Sequence, residues 1–284
     1  MTWKIWCVLL VMMLAAGIGG FAACGSGDDD DDSESESPSG DDDADDDDDS
    51  DGDIEQIYAY IQGSPYSRLV IELDYVGGKE PSEDVIATIE STYADLLDKP
   101  GGVEVVLDEE LDARGDDYAW SQEERNDLAD ATFDLAVPDD TIKMHAVFVD
   151  GHSARDGGGI RILGVAFHDV HFFIYQDTID SGCDGMVSGL LGGGEACELA
   201  TATISMHEMG HLIGLVDNGL PMVEDHKDPD TEHGDHSANK NSIMYWAYDT
   251  NAGLDQLVTR ITGGKTDPPP FDENDRQDID AAKE

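Results

Sequence analysis

The chain has 284 residues, with 65 Asp and Glu against 15 Lys and Arg, for a net charge of −50. That balance opposes binding to nucleic acid and contact with anionic lipid headgroups, because each approach to a phosphate is repulsive. The length suits one domain of moderate size together with the segments that precede it.

The opening stretch, MTWKIWCVLLVMMLAAGIGGFAAC, places Lys4 before an apolar run from Ile5 to Ala16, then small residues ending at Ala22-Ala23-Cys24. This is the pattern of a secretory signal over residues 1–23. The apolar part is short for a membrane span of about 20 residues and runs into glycine. The letters FAAC are similar to a bacterial lipobox, with Phe21 where Leu is more usual. That likeness implies cleavage before Cys24 and acylation of its thiol. Gly25 is not the Asp that often retains lipoproteins at the inner membrane. The expected location is therefore the bacterial outer membrane, periplasmic or surface-exposed, with the lipid as the membrane contact.

Residues 24–53 follow as the lipidated Cys and an acidic tether. From residue 25 onward the tether holds 17 acids, no base and no aromatic residue. It cannot bury enough apolar surface to offset its ordering entropy, and self-repulsion extends it. As a neutral coil it would span roughly 30 Å. The domain, residues 54–284, is acidic too: 48 acids against 14 Lys and Arg give a net charge of about −34.

Within the domain, SRLVIELDYV (67–76) alternates as a strand. Pro81-Ser82-Glu83 opens a helix whose apolar positions Val85, Ile86, Ile89, Tyr93, Leu96 and Leu97 recur at helical spacing, and Lys99-Pro100-Gly101-Gly102 ends it. VEVVLDEEL is a second strand. SQEERNDLADATFDLA is a helix, with Ser121 and Glu124 in capping-box spacing. KMHAVFVDG, IRILGVAF and HFFIYQD read as three more strands. A Gly-rich loop between Cys183 and Cys197 comes next; an even cysteine pair in an exported protein predicts a disulfide, worth about 3 kcal/mol on the chain-entropy model. LATATISMHEMGHLIGL is a helix ended by Gly214. DENDRQDIDAAKE is a short terminal helix capped by Asp272. The order implies an α/β fold, with helices packed on a mixed, mostly parallel sheet of about five strands.

His207 and His211 stand four apart and share one helix face, so both can chelate one ion. Glu208 lies beside them and can take a proton from a water at the metal without being a ligand. Two further features sharpen the pattern: Gly214, three residues after His211, and Met244 in SIMYW.

With these residues the sequence resembles the metzincins, zinc endopeptidases with HExxHxxGxxH and a later Met-turn. The match is His207, Glu208, His211 and Gly214, with Met244 as the Met-turn. The resemblance covers roughly residues 65–250. It implies a zinc-dependent endopeptidase acting on a protein or peptide, with Glu208 as the catalytic base. It also implies an edge strand that binds substrate antiparallel, for which IRILGVAF is the counterpart. A monomer is expected. The alternative is a non-catalytic, zinc-containing surface module for binding or adhesion; the presence of Glu208 favours catalysis.

The third zinc ligand is left open by two departures. The residue three after Gly214 is Asp217 where a His is usual; snapalysin-like metzincins use Asp there. A long segment then separates the glycine from the Met-turn and carries His226, His233 and His236. In archaemetzincins a His-Cys, four residues, Cys, one residue and Met occupy this region. Here His236-Ser237, four residues, Ser242, Ile243 and Met244 repeat that spacing, with serine for both cysteines. The GLV, PMV and later His after the zinc helix also resemble a group of bacterial membrane-anchored metalloproteases. His236 therefore ranks first, with His226 (oriented by Asp228) and Asp217 as alternatives. Asp225, Asp228, Asp230 and Asp235 would suit an additional calcium ion, without EF-hand spacing. Tyr245 and Tyr248 stand near the Met-turn as candidate oxyanion donors, with no role assigned; Trp246 holds the place two after the Met. His168 and His171 either face the cleft or, as is more common at such positions, are strand-end surface residues.

Overall fold

A computed structural model describes residues 54–183 and 193–284. The expected signal, Cys24 and tether lie outside the described residues, as do residues 184–192 of the Cys-bounded loop. Strand β1 (Arg68–Val76) and helix α2 (Glu83–Leu96) follow a first helix, α1 (Ile54–Ile61). Ser82 caps α2 by accepting from Val85 N–H at 3.3 Å, with Glu83 and Asp84 in the first turn facing the positive end of the helix dipole. Strand β2 (Gly102–Leu111), a short β3 (Ala119–Trp120) and α3 (Gln122–Thr132) come next, and the Ser121–Glu124 capping box is formed.

Strands β4 (Thr141–Val149), β6 (Gly164–Phe167) and β7 (His171–Tyr175) complete a five-stranded sheet of order β2-β1-β4-β7-β6. β1 runs parallel to β2 and β4, and β4 parallel to β7; β6 alone is antiparallel, on the edge. The short β5 (His152–Ser153) pairs with β3 in a separate two-stranded ribbon.

Both faces of the sheet are covered, so β7 is buried at every position instead of alternating. The side chains still alternate in direction. Ala146, Phe148, Phe172 and Ile174 join the large core with helices α2 and α5 (Gly193–Leu212). Val147, Val149, Phe173 and Tyr175 join a smaller core on the other face, where Ala129 of α3 and Trp120 close over them.

Helix α4 (Gln176–Cys183), absent from the sequence reading, leads into the Cys183–Cys197 disulfide, whose Cα atoms are 5.3 Å apart. The bridge therefore ties two helices, because α5 begins six residues before the expected start. α6 (Asn251–Thr262) also escaped the reading; α7 (Glu273–Ala282) has its expected Asp272 cap. The expected strand IRILGVAF forms only over its second half. Ahead of it, Leu163 N–H donates to Asp249 O and Arg161 O accepts from Asn251 N–H, so this segment is held by a later loop. Among the described residues, no helix is long and apolar enough to cross a membrane.

Candidate metal centre

Helix α5 presents His207 and His211 from successive turns, with Glu208 beside them; His207 and Glu208 are fully buried. The helix must then turn sharply, and Gly214 does this at φ +78°. A β-carbon there would fall 2.8 Å from Leu220 N and 2.7 Å from Ile57 Cδ1, so glycine is required by both conformation and space. Val216 and Asp217 continue the turn at φ 57° and 71°, a conformation that Asp tolerates and a β-branched Val rarely adopts.

Beyond the turn, Asp228 N–H donates to His236 O, Ala238 N–H to His226 O, and Ser237 N–H to Met244 O. These ties bring His236 back over the helix. The Nε2 atoms of His207, His211 and His236 lie 3.1–3.2 Å from one another. Three nitrogens around one zinc, each about 2.0–2.1 Å from it, would stand about 3.3–3.4 Å apart in a tetrahedron.

The outer nitrogens fix the tautomers. His207 Nδ1 donates to Ile243 O at 2.7 Å, and His236 Nδ1 to His233 O at 2.5 Å. A carbonyl can only accept, so each ring keeps its proton there and turns an Nε2 lone pair inward. A fourth group faces the same point. Asp249 Oδ1 is 2.7 Å from His207 Nε2, and Oδ2 is 2.9 Å from His236 Nε2. Electron-rich atoms from four residues thus converge on one point, and a cation between them removes the repulsion. The donor set fits zinc.

The electrostatics follow from burial. Burial, then the His236 and His207 rings, hold His211 well below its ordinary value. Burial also pulls on His236, but the Asp249 carboxylate outweighs it and raises that ring. For Asp249, burial alone would push up; His236 and His207 overcome it and hold the carboxyl well below its usual range. Burial, then Asp249, pushes Glu208 well above its usual range, against a hydrogen bond from Ala166 N–H.

Glu208 faces the edge strand. Because Ala166 N–H reaches Glu208 instead of β7, residues 164 and 166 turn their peptide groups toward the open edge. Glu208 Oε1 is buried with no hydrogen-bond partner.

Asp217 and His226, the alternative third ligands, are not brought to this centre. The Asp217 side chain is 57% exposed and reaches Lys227 at 3.4 Å. The turn at Gly214 swings it outward. His226 points the other way, its Nε2 3.0 Å from Asp278 Oδ2 on α7. Asp228, expected to orient His226, instead contacts His233 at 3.0 Å. Its neighbours are also used locally: Asp230 caps a short turn and Asp235 pairs with Lys227. Among the described residues, no three of Asp225, Asp228, Asp230 and Asp235 converge as a cation site.

Met244 is fully buried beneath the helix. A β-carbon on Gly210 would come within 2.3 Å of its sulfur, so the helix approaches the methionine closely only because residue 210 is glycine. Ser242, at one of the serine positions, fixes this turn: its hydroxyl donates to Asp275 Oδ2 at 2.7 Å and accepts from Met244 N–H at 2.9 Å. Tyr248 is buried 6.2 Å from the His207 ring, and burial pushes its hydroxyl up to about 12. Trp246 stacks on His233 at 4.2 Å.

No family model matches the chain, and no curated protein matches it. Two solved structures are similar. Archaemetzincin from Methanopyrus kandleri is 13% identical, with a TM-score of 0.47 over 76% of this chain and 96% of that one. A zinc-dependent peptidase from Methanocorpusculum labreanum is 14% identical, with a TM-score of 0.45 over 74% of this chain and 99% of that one. At these values neither transfers a ligand or a role to this chain.

Asp249 is the residue that sequence reasoning missed. It ends a short 3-10 turn, Trp246–Asp249, two residues after Met244. The available signal was an acid in the otherwise uncharged run NSIMYWAYDT.

Proposed function

We propose that this chain is a zinc-dependent endopeptidase, anchored to the bacterial cell envelope through Cys24. The observation that carries the reading is the convergence of three imidazole Nε2 atoms beside a buried Glu208 whose Oε1 has no partner. Zinc bound there would supply Lewis acidity, polarising the scissile carbonyl and lowering the pKa of a water to about 7. His207, His211 and His236 are the residues to hold it.

Glu208 acts as the base. Its free Oε1 can accept the proton of the attacking water and pass it to the leaving amine. The edge strand β6 supports an endopeptidase: Gly164 and the carbonyl of Ala166 face the open edge, where an extended chain can pair antiparallel. The acidic tether would hold the domain away from the membrane surface.

A second reading, a non-catalytic zinc-containing binding or adhesion lipoprotein, is favoured by Asp249. Its carboxylate stands on the side of the centre that a catalytic site leaves open. The two readings separate on an unfolded protein substrate. The endopeptidase cleaves it, stops with a chelator, and loses turnover in Glu208→Ala while keeping zinc. If neither the zinc-loaded parent nor Asp249→Ala cleaves, and both retain zinc, the second reading stands.

A further inference from the structure

Asp74, His145, His171 and Asp130 form a line on the face of the sheet opposite α5. Asp74 Oδ2 is 2.9 Å from His145 Nε2, and His145 Nδ1 is 2.9 Å from His171 Nδ1. His171 Nε2 is 3.3 Å from Asp130 Oδ1 on α3. Asp74 and His145 are fully buried and His171 is 3% exposed, whereas the Asp130 side chain is 62% exposed. The line therefore runs from the core to the surface.

Each of its three contacts joins atoms that carry lone pairs, so each needs a hydrogen or a cation between them. Two neutral imidazoles bring one N–H apiece and fill two contacts, leaving one. The inner end decides which. The Asp74 carboxylate can only accept, and its Oδ1 already takes Glu109 N–H at 3.0 Å. His145 therefore donates from Nε2, which leaves its Nδ1 bare for the Nδ1–H of His171. His171 Nε2 is then a lone pair aimed out of the core at a carboxylate oxygen.

A third ligand stands at this opening. His168 Nδ1 is 3.9 Å from the same Asp130 oxygen, while its Nε2 is 3.4 Å from Asn126 Nδ2. Left-handed backbone at His168 and Asp169, φ 51° and 57°, folds the β6–β7 connection so that both imidazoles meet α3. Two cations on this side are engaged elsewhere: Lys143 pairs with Glu72, and the Arg125 guanidinium lies 4.3 Å over the Phe167 ring. Phe133 packs against both His145 and His171 and excludes water from their contact.

We propose that Asp130, His168 and His171 bind a divalent transition-metal ion of the zinc class, with His145 and Asp74 as the hydrogen-bonded support behind His171. Zinc distances of about 2.0–2.2 Å set the ligand-to-ligand spacing at about 3.3–3.6 Å, which the His171–Asp130 pair already meets; the exposed His168 closes by about 0.5 Å. A ligating imidazole whose other nitrogen donates inward is the arrangement such a site uses to fix the ring. The ion pins the β6–β7 turn to α3, at the opposite end of the edge strand from its tie to Asp249. This site shares no residue with the centre on α5.

Equilibrium dialysis of metal-free, full-length protein against zinc tests it, with high salt and excess magnesium to cover the acidic surface. The parent should retain two equivalents, and the double variant Asp130→Asn, His168→Ala one. Both side chains are exposed, melting curves of the variant check that the left-handed turn at residue 168 survives, and the centre on α5 supplies the retained equivalent. Imidazole nitrogen NMR of His171 should show Nε2 shift on metal binding. A parent that retains a single equivalent overturns the proposal, because the three contacts are then closed without a metal ion. A second equivalent that persists in the double variant also overturns it, because the acidic surface then holds that ion.

Discussion

Gly164 and Glu208 share one space: a β-carbon built on Gly164 would fall 2.5 Å from Oε1 and 2.9 Å from Cδ of Glu208. The edge strand comes this close to the carboxylate because residue 164 has no side chain. Gly164→Ala should push the carboxylate from its position without touching the three imidazoles. The expected outcome is a loss of peptidase turnover of about 10- to 100-fold, the scale of a misplaced catalytic group. Zinc content should be unchanged. Turnover on an unfolded protein, measured beside metal content, checks both halves.

Asp249 should restrain activity. Its carboxylate lies against His207 and His236 on the fourth side of the centre. Asp249→Ala removes it and opens that side. Zinc should bind more weakly, because a negative charge beside the site is gone. At saturating zinc, turnover should rise above the parent. Titrating zinc into both proteins while following cleavage separates the two effects; a drop in turnover at saturation would give Asp249 a supporting role in catalysis instead.

Three loop substitutions should produce three different results. His236→Ala removes one of the converging nitrogens and should abolish tight zinc binding. His226→Ala strands Asp278, which also accepts Val223 N–H at 2.6 Å, and should lower stability by about 1–3 kcal/mol with less effect on zinc. Asp217→Asn lies outward and should change neither. Zinc affinity and denaturant midpoints on the same samples give the comparison.

Acid stability should carry a signature of Glu124. The Ser121 hydroxyl first, then the Tyr118 hydroxyl and Ser121 N–H, hold this carboxyl down from 4.5 to about 2. A depressed carboxylate contributes stability that is present above its unfolded value and is lost as pH falls through its folded value. That window is about 4.5 to 2 here. Glu124→Gln should therefore flatten the fall of the melting temperature across that window. Melting curves of parent and variant at stepped pH would show it.

The helix carrying His207 and His211 was legible because two histidines four apart and a glycine three further on are local features of one helix. His236 could be ranked first only through its spacing to Met244; backbone ties after a sharp turn bring it to the helix, and no local pattern encodes them. Asp249 was hidden for a related reason: it depends on a single turn and on Leu163 N–H, 86 positions back along the chain. His171 was read as a surface residue because strand ends are usually exposed. α3 and Phe133 cover it, and that packing is tertiary. The strand expected over IRILGVAF is longer than β6, since residues 160–163 have strand-forming side chains but divide their backbone hydrogen bonds among Gly157, Asp156, Tyr175 and the loop at 249–251.

Neighbouring codons of β4 report on different halves of the molecule. Met144, Ala146 and Phe148 join the core that α5 closes, and His145, Val147 and Val149 face the α3 side. A saturation scan along this strand should give two interleaved phenotypes, one following the seating of α5 and the other the fit of α3. A single-codon deletion would exchange them, taking His145 from Asp74 and presenting valines to the wrong core. Each surface of this sheet can therefore drift in sequence without the other, so long as the spacing between them is kept.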